Sequence, residues 1–434
     1  MPTVRESCGE RSSLERLQCE RLRALLAQIL PRNGFYARKL AGADLDNLGL
    51  LPFTTKAELL ADQAAHPPYG TMLTYPRERY CRLDQTSGTS GLPLRWLDTP
   101  ESWEWMLKCW ETMYGIVGVR PGDRMFFAFS FGPFLGFWTA FDAAARLGYL
   151  CLPGGGMSSG ARLRFLLDNQ ATVALSTPTY ALRLAEAARA LGIDLAASPV
   201  RLVIVAGEPG GSIAATRARI EEAWGARVFD HYGMTEVGPL AIECRENPVG
   251  LHVLESDCLP EVINPETTEA AEPGEIGELV LTNFGRWGSP VVRYRTGDLV
   301  RVDPRPCPCG SPFVRLDGGI LGRSDDMIHF RGINVYPSAL EALLRRFPEI
   351  VEYRIEVDES SALRVEIEPA SGGREPLDRS DLMERVDHAI RDELLFRAEV
   401  KMAAPGSLPR FDFKARRISR KGAESQTPEG GAIR

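Results

Sequence analysis

Leu14, Leu17, Leu22, Leu25, Leu26 and Ile29 recur at helical spacing near the start of the chain, and Pro31 ends the pattern. This predicts an amphipathic helix packed on the main domain. Its polar face mixes acids with bases, which argues against a membrane-surface helix. From about Asp123 the texture alternates. Met125–Phe129 is a short apolar run of strand type, Phe137–Leu147 reads as a helix, and Leu150–Leu152 as the next strand. The alternation continues with a helix at Arg162–Asn169, a strand at Thr172–Leu175, a helix at Tyr180–Leu191, a strand at Arg201–Ala206 and a helix at Ile213–Trp224. Strands alternating with helices of this length imply a layered α/β domain with a largely parallel sheet. Ligands of such sheets sit at the carboxyl ends of strands. Gly207-Glu208-Pro209-Gly210 follows one such end, and Asp230-His231-Tyr232-Gly233 follows the next, Arg227-Val228-Phe229.

Short β-type runs separated by Gly and Pro fill Leu251–Leu316, including Glu278–Leu281 and Leu299–Val302, and predict a β-rich subdomain. A small α+β unit follows Gly322. It has a strand at Met327–Phe330, a helix at Ser338–Arg346, strands at Glu352–Val357 and Leu363–Ile367, and a helix at Arg379–Leu394. The Gly-, Ser-, Pro- and charge-rich end of the chain reads as disordered. No internal repeat is evident.

The 434 residues suggest two or three domains, and 44% apolar content supplies a sizeable core. A net charge of −7 gives no nucleic-acid footprint. No apolar run reaches the length of a membrane span, and Met1–Arg16 lacks an apolar signal core. Nine cysteines, an odd count without that core, point to free thiols in a reducing cytoplasm.

Chemistry enters at Gln85-Thr86-Ser87-Gly88-Thr89-Ser90-Gly91. Hydroxyls and bare backbone N–H groups suit a loop that wraps a polyphosphate, since glycine lets the backbone approach the anion. Alone, such a run is a surface turn. Further along come Asp230-His231-Tyr232-Gly233-Met234-Thr235-Glu236, Tyr294-Arg295-Thr296-Gly297-Asp298, Gly322-Arg323-Ser324-Asp325-Asp326, and Lys414.

This ordered set resembles that of adenylate-forming enzymes of the acyl-CoA synthetase superfamily, and more narrowly the phenylacetate–CoA ligases and their relatives. The resemblance runs from about Leu14 to Arg417. It implies an α/β fold. A large N-terminal ATP- and acyl-binding domain would span 1–321, with its β-rich, zinc-bearing part at about 244–316. A small mobile α+β C-terminal domain would span 322–421, and 422–434 would be a disordered tail. The implied reaction joins a small, aromatic or related carboxylic acid to ATP as an acyl-adenylate. The acyl group then passes to coenzyme A, or, as the alternative, to an amine or a carrier-protein thiol.

The resemblance assigns roles motif by motif. Thr86, Ser87, Gly88, Thr89, Ser90 and Gly91 would hold the phosphates of ATP. Many relatives carry a lysine after this glycine; Leu92 stands here, and Arg95 is the nearby cation. Gly207, Glu208, Pro209, Asp230, His231, Tyr232 and Gly233 would flank the nucleotide, and Tyr232 and Gly233 would also border the acyl group. Thr235 would bond a phosphate, and Glu236 would hold Mg²⁺, which favours hard oxygen ligands. Asp298 would accept from the ribose hydroxyls, with Arg323 beside the ribose or phosphate. Lys414 would bridge carboxylate and α-phosphate as a compact ammonium, with Lys421 as its rival. Asp325 would be the hinge.

Cys307-Pro308-Cys309-Gly310 is a short Cys-x-Cys knuckle, preceded by Cys244 and His252. Relatives carry the same set, which implies a closed, structural zinc site of thiolates and imidazole, with Cys258 as an alternative ligand. For the acyl pocket the aromatic run Phe129–Trp138 supplies Phe131 and Phe134, and Gly154–Met157 is a second candidate wall. Relatives are often dimers, so the resemblance allows a homodimer; it implies neither a nucleic-acid nor a membrane partner.

Overall fold

The computed structural model describes residues 11–45, 47–86, 93–324, 328–330, 333–357, 363–370, 378–394, 396–411, 415 and 417–420. The chain forms two compact units, Met1–Ser324 and Asp325–Arg434.

In the first unit the elements run α1 (Arg11–Ile29), α2 (Gly34–Lys39), α3 (Lys56–Ala65), β1 (Arg82–Gln85), β2 (Arg95–Asp98), α4 (Pro100–Val117), β3 (Arg124–Phe127), α5 (Leu135–Arg146), β4 (Leu150–Pro153), α6 (Ser159–Asp168), β5 (Val173–Ser176), α7 (Pro178–Ala190), β6 (Leu202–Val205) and α8 (Ala214–Trp224). They continue as β7 (Arg227–Met234), β8 (Gly238–Ile242), β9 (Gly250–Val253), β10 (Cys258–Ile263), β11 (Ile276–Asn283), β12 (Tyr294–Arg301), β13 (Arg315–Asp317) and β14 (Gly322–Arg323). The predicted N-terminal helix forms, and Leu14, Leu22, Leu25, Leu26 and Ile29 are buried. Gln18 on the same face donates to the carbonyls of Glu255 and Cys258, so the helix is pinned to the main domain by polar bonds as well.

The main sheet has the order β13-β9-β8-β7-β6-β5-β3-β4. From β4 to β7 all neighbours are parallel, joined by helices as the alternating pattern predicts. β7 is where the topology changes. Its first half, Leu202↔Arg227 to Val205↔Asp230, pairs parallel with β6; its second half, His231 to Met234, pairs antiparallel with β8. The segment Asp230-His231-Tyr232-Gly233 therefore continues one long strand across the change of partner and is not a loop after it. Hydrogen bonding from β8 extends the strand past the point where its parallel neighbour stops.

The Gly- and Pro-punctuated stretch 244–316 divides between two sheets. β9 and β13 join the main sheet, whereas β10, β11, β12 and β14 form an antiparallel sheet of their own. β14 pairs with β12 through Asp298↔Arg323, which keeps Gly322 and Arg323 in the first unit.

An 18-residue helix, α4, has no counterpart in the periodicity reading. Trp103, Trp105, Met106, Trp110, Met113 and Tyr114 are buried, and Glu101, Glu104, Lys108 and Glu111 form a polar stripe at helical spacing on the less buried side, a legible pattern that the expectations above do not include. Thr99 caps it, Pro100 opens it, and left-handed Gly118 closes it.

The second unit comprises β15 (Ile328–Phe330), β16 (Ile333–Val335), α9 (Pro337–Leu344), β17 (Ile350–Val357), β18 (Leu363–Pro369), α10 (Arg379–Leu394), β19 (Glu399–Met402) and β20 (Ile418–Arg420). Its four-stranded sheet has the order β19-β18-β17-β20. Leu340, Leu343, Leu344, Tyr353, Ile355, Val365, Ile367, Leu382, Val386 and Ile390 form its own core. The molecule is thus a large α/β unit followed by a small α+β unit.

Candidate functional site

The start of α3, the end of β7 with its turn, β12 and β14 meet through Asp298 and Glu236. The β1–β2 hairpin carries the Ser/Thr/Gly loop. Its base is closed by Thr86, whose N–H donates to the Leu94 carbonyl and whose hydroxyl accepts from Leu94 N, each at 3.0 Å. Ser87, Gly88, Thr89, Ser90 and Gly91 lie outside the described residues. Arg95 donates to the Pro68 carbonyl at 3.2 Å.

After β6, Gly207 takes a left-handed φ of +96° and turns the chain. Glu208 accepts from Thr179 N at 2.9 Å, at the start of α7. Pro209 follows at the exposed tip of the same turn.

Side chains alternate along β7. Asp230 and Tyr232 lie on one face. Ser212 donates to Asp230 at 2.5 Å, and burial, with Glu243 close by, pushes the Asp230 carboxyl up to about 7. The Tyr232 hydroxyl donates to Asp298 Oδ2 at 2.7 Å, and burial next to that carboxylate raises its pKa. His231 lies on the other face, stacked on Trp110 of α4 with ring centroids 4.4 Å apart. Gly233 admits no side chain, because a Cβ there would fall 2.9 Å from the Gly238 carbonyl oxygen.

Thr235 and Glu236 form the turn beyond β7. Glu236 is buried; Tyr294 donates to it at 3.3 Å, and Lys56 at the start of α3 stands 3.5 Å from the same carboxylate oxygen. Asp298 lies on β12 after Gly297, whose φ of +76° suits glycine. Arg323 donates to Asp298 Oδ1 at 3.2 Å, so one carboxylate is oriented by a phenol on one oxygen and a guanidinium on the other.

Several participants carry no motif. Lys56 is placed because Thr54 bridges to β12, with Thr54 N donating to Arg293 O and Arg295 N to Thr54 O. The capping box of Thr55 and Glu58 was its only local signal. Arg286 is fully buried, forms a two-pronged pair with Asp98, and donates to the Thr235 carbonyl at 2.5 Å. A buried arginine with this geometry fixes the turn bearing Thr235 and Glu236. Asp84, buried on β1 beside Asp98, has its carboxyl pushed up to about 6 by burial and by that neighbour.

The aromatic run after β3 packs on itself. Phe131 lies against Phe129, Trp138 and Phe141, with centroids 6.4, 4.8 and 5.2 Å away. Phe134 is the residue before α5, and Gly155 comes against Phe129 and Phe131. Asp325 and Lys414, together with Lys421, lie outside the described residues.

Cys244, His252, Cys307 and Cys309 place their ligand atoms within 4.8 Å of one another. Cys244 and Cys307 sulfurs are 3.7 Å apart, and Cys309 Sγ is 3.5 Å from His252 Nε2. His252 Nδ1 donates to the Phe313 carbonyl at 3.1 Å, which leaves Nε2 with its lone pair toward the sulfurs. The donor set fits a tetrahedral soft cation. Cys258 is not in this group; its thiol is buried against the Leu254 carbonyl, which removes it as an alternative ligand.

A family model described as AMP-binding enzyme matches residues 75–285, and one described as AMP-binding enzyme C-terminal domain matches residues 332–421. The phenylacetate–coenzyme A ligase of Thermus thermophilus is 34% identical over 437 residues, covering 94% of this chain and 96% of its own. That of Escherichia coli K12 is 31% identical, covering 93% and 94%. Among solved structures, a 2-hydroxyisobutyryl-CoA ligase in the postadenylation state, in complex with R3-HIB-AMP, aligns with a TM-score of 0.87 at 28% identity, covering 93% of this chain and 89% of that one. The anthranilate CoA ligase AuaEII, 20% identical with a TM-score of 0.60 over 79% of this chain and 66% of that one, shares the fold.

Proposed function

The chain belongs to the AMP-binding enzyme family as a phenylacetate–coenzyme A ligase-like, AMP-forming acyl-CoA ligase, and from that premise we propose how its residues divide the reaction and which acid it takes. The substrates are ATP, a small carboxylic acid and coenzyme A. In the first step a carboxylate oxygen bonds to the α-phosphorus, the bond to the bridging oxygen breaks, and pyrophosphate leaves. In the second a thiol sulfur, having given up its proton, bonds to the acyl carbon, and AMP leaves.

The observation that carries the residue assignment is the doubly oriented Asp298, held by Tyr232 at 2.7 Å and Arg323 at 3.2 Å beside the strand that leads to Glu236. A fixed carboxylate suits two neighbouring ribose hydroxyls. Around it, the 86–91 loop cradles the phosphates, and Thr235 bonds one of them. Gly207, Glu208 and Pro209 border the adenine.

Glu236 is the residue that would hold Mg²⁺, and the ion would supply positive charge opposite the leaving pyrophosphate. Its partners in this structure are Lys56 and Tyr294, both at the same carboxylate oxygen. Lys414 bridges the two reacting anions, and Asp325 is the hinge of the small domain. Phe131 and Phe134 contribute apolar walls that suit a flat acid. Cys244, His252, Cys307 and Cys309 would hold a structural zinc, and their thiols suit a reducing compartment. Among the described residues no helix is long and apolar enough to cross a membrane.

The test is pyrophosphate release from ATP and Mg²⁺ across aromatic and aliphatic acids, each with and without coenzyme A. Release that follows the acid, with an acyl-CoA mass only when coenzyme A is present, is the expected result. Acid-dependent release with no thioester would move the acceptor to an amine or a carrier thiol. No release with any acid would overturn the reading.

A further inference from the structure

Two glutamates of the small unit stand opposite each other in its sheet. Glu352 on β17 and Glu368 on β18 are direct cross-strand partners, and they are only 4% and 2% exposed. Like charges facing each other across a strand pair destabilise a sheet, and a buried carboxylate needs a partner. Each is met by an arginine, and the two arginines, Arg410 and Arg417, come from one short stretch of chain with Lys414 between them. Arg345, just past α9, is the more distant cation at Glu352, 3.8 Å away.

Both contacts are forked. Arg410 Nη1 donates to Glu368 Oε2 at 3.0 Å and Nη2 to Oε1. The N–H groups of Gly406 and Leu408 donate to the same carboxylate at 2.8 and 3.0 Å, so Glu368 gathers the whole approach to the segment. Arg417 Nε donates to Glu352 Oε1 and Nη2 to Oε2 at 3.1 Å, while its carbonyl accepts from Ile355 N at 2.7 Å where β20 begins. The Arg417 guanidinium lies over the Tyr353 ring at 5.0 Å and over the Phe411 ring at 5.9 Å. That last contact brings the two ends of the 411–417 segment together. Lys414 is three residues from either end, and three residues of extended chain reach ~11 Å, so the two clamps bound where its backbone can go. Lys421 follows β20 and falls outside both clamps.

We propose that Glu368 and Glu352, acting through Arg410 and Arg417, are positioning residues that stake the Lys414 segment for the adenylation step. This rests on the reading of Lys414 as the cation between the carboxylate and the α-phosphate. A catalytic group works only when a supporting shell holds it to a fraction of an ångström. A forked arginine–carboxylate pair fixes orientation as well as distance, which a single lysine contact does not. The consequence falls on one half-reaction. The clamps serve bond formation at phosphorus, where Lys414 acts, and not the transfer of a finished acyl-adenylate to the thiol.

The experiment uses the full-length enzyme with the acid that gives the fastest pyrophosphate release in the panel above, and with the chemically synthesised adenylate of that acid. Adenylation is followed as pyrophosphate release, and the second half-reaction as thioester formation from the supplied adenylate and coenzyme A. In Arg410→Met, Glu368→Gln and Glu352→Gln the kcat of pyrophosphate release should fall about 10- to 100-fold. The KM for ATP and the rate of thioester formation should stay near wild type. Arg410→Lys, which keeps the charge but not the fork, should recover part of the loss. The two clamps are tested separately, so misfolding of one variant leaves the others to decide. Equal losses in both half-reactions in all three variants, or undiminished pyrophosphate release, would make the clamps structural only and overturn the proposal. Full pyrophosphate release in Lys414→Ala would bring down the lysine assignment, and this inference with it, while leaving the ligase intact. No release with any acid would instead bring down the ligase reading itself.

Discussion

Asp230 shows how far tertiary surroundings can move a single group. Its carboxyl is buried beside Glu243, and its pKa rises to about 7 despite the bond from Ser212. In the unfolded chain the same group titrates near 4. Between these values the native state binds more protons than the unfolded state, so stability falls as pH rises through that window. The melting temperature should therefore decline from pH 5 to pH 8, and Asp230→Asn should flatten the decline; an unchanged slope in the variant would show that the carboxyl is already charged in the fold. Arg286 and Asp98 make the complementary case. Removing one member of a buried pair leaves an uncompensated charge, so Arg286→Met should cost about 3–5 kcal/mol. Adding Asp98→Leu should recover much of that loss by denaturant titration. Acid-dependent pyrophosphate release should stay low in the double variant, because the Thr235 carbonyl still lacks its donor. Full activity there would show that Arg286 serves stability alone. Neither residue stood in a recognisable motif, since a lone arginine and a lone aspartate 188 positions apart carry no periodic signal.

Elements set where the motifs can act. The parallel strands and their helices were readable because alternation of short apolar runs with longer amphipathic ones has one common solution. α4 was legible on the same grounds, through the polar stripe Glu101, Glu104, Lys108 and Glu111, although it is absent from the expectations above. β7 exceeded its expected end because a new antiparallel partner, β8, met its backbone groups beyond Asp230. The same switch places Tyr232 and Asp298 within one hydrogen bond. The four metal-ligand candidates belong to this scale too, since they join the segment after β8 to β9 and to the loop before β13. Purified protein should contain about one zinc per chain. Chelation or Cys309→Ser should lower both the zinc content and the melting temperature, and a metal-free protein of undiminished stability would dismiss the site.

At the scale of the whole molecule the chain divides after Ser324 into a large unit and a small one with a separate core. The resemblance to relatives puts a hinge at Asp325, immediately past that division. Asp325→Pro should then reduce thioester formation at least several-fold more than adenylation, because a hinge must absorb a large backbone change between half-reactions. Following coenzyme A consumption and pyrophosphate release side by side decides it; equal losses would place the hinge elsewhere.

Local patterns determined the fold class and most elements of the parallel sheet, and the ordered motifs point to ATP, an acid and a thiol through their resemblance to a known family. They did so because period, capping and turn chemistry act over a few residues, and because motif order survives whatever the chain does between. Tertiary structure decided the rest. It brought Lys56 to Glu236, Arg286 to Thr235, and Tyr232 with Arg323 to Asp298. It excluded Cys258 from the thiol cluster and left the ring nitrogens of His231 unmet. Those outcomes depend on burial and on partners tens to hundreds of residues away, quantities that exist only once the sheets have formed and the helices have packed across them.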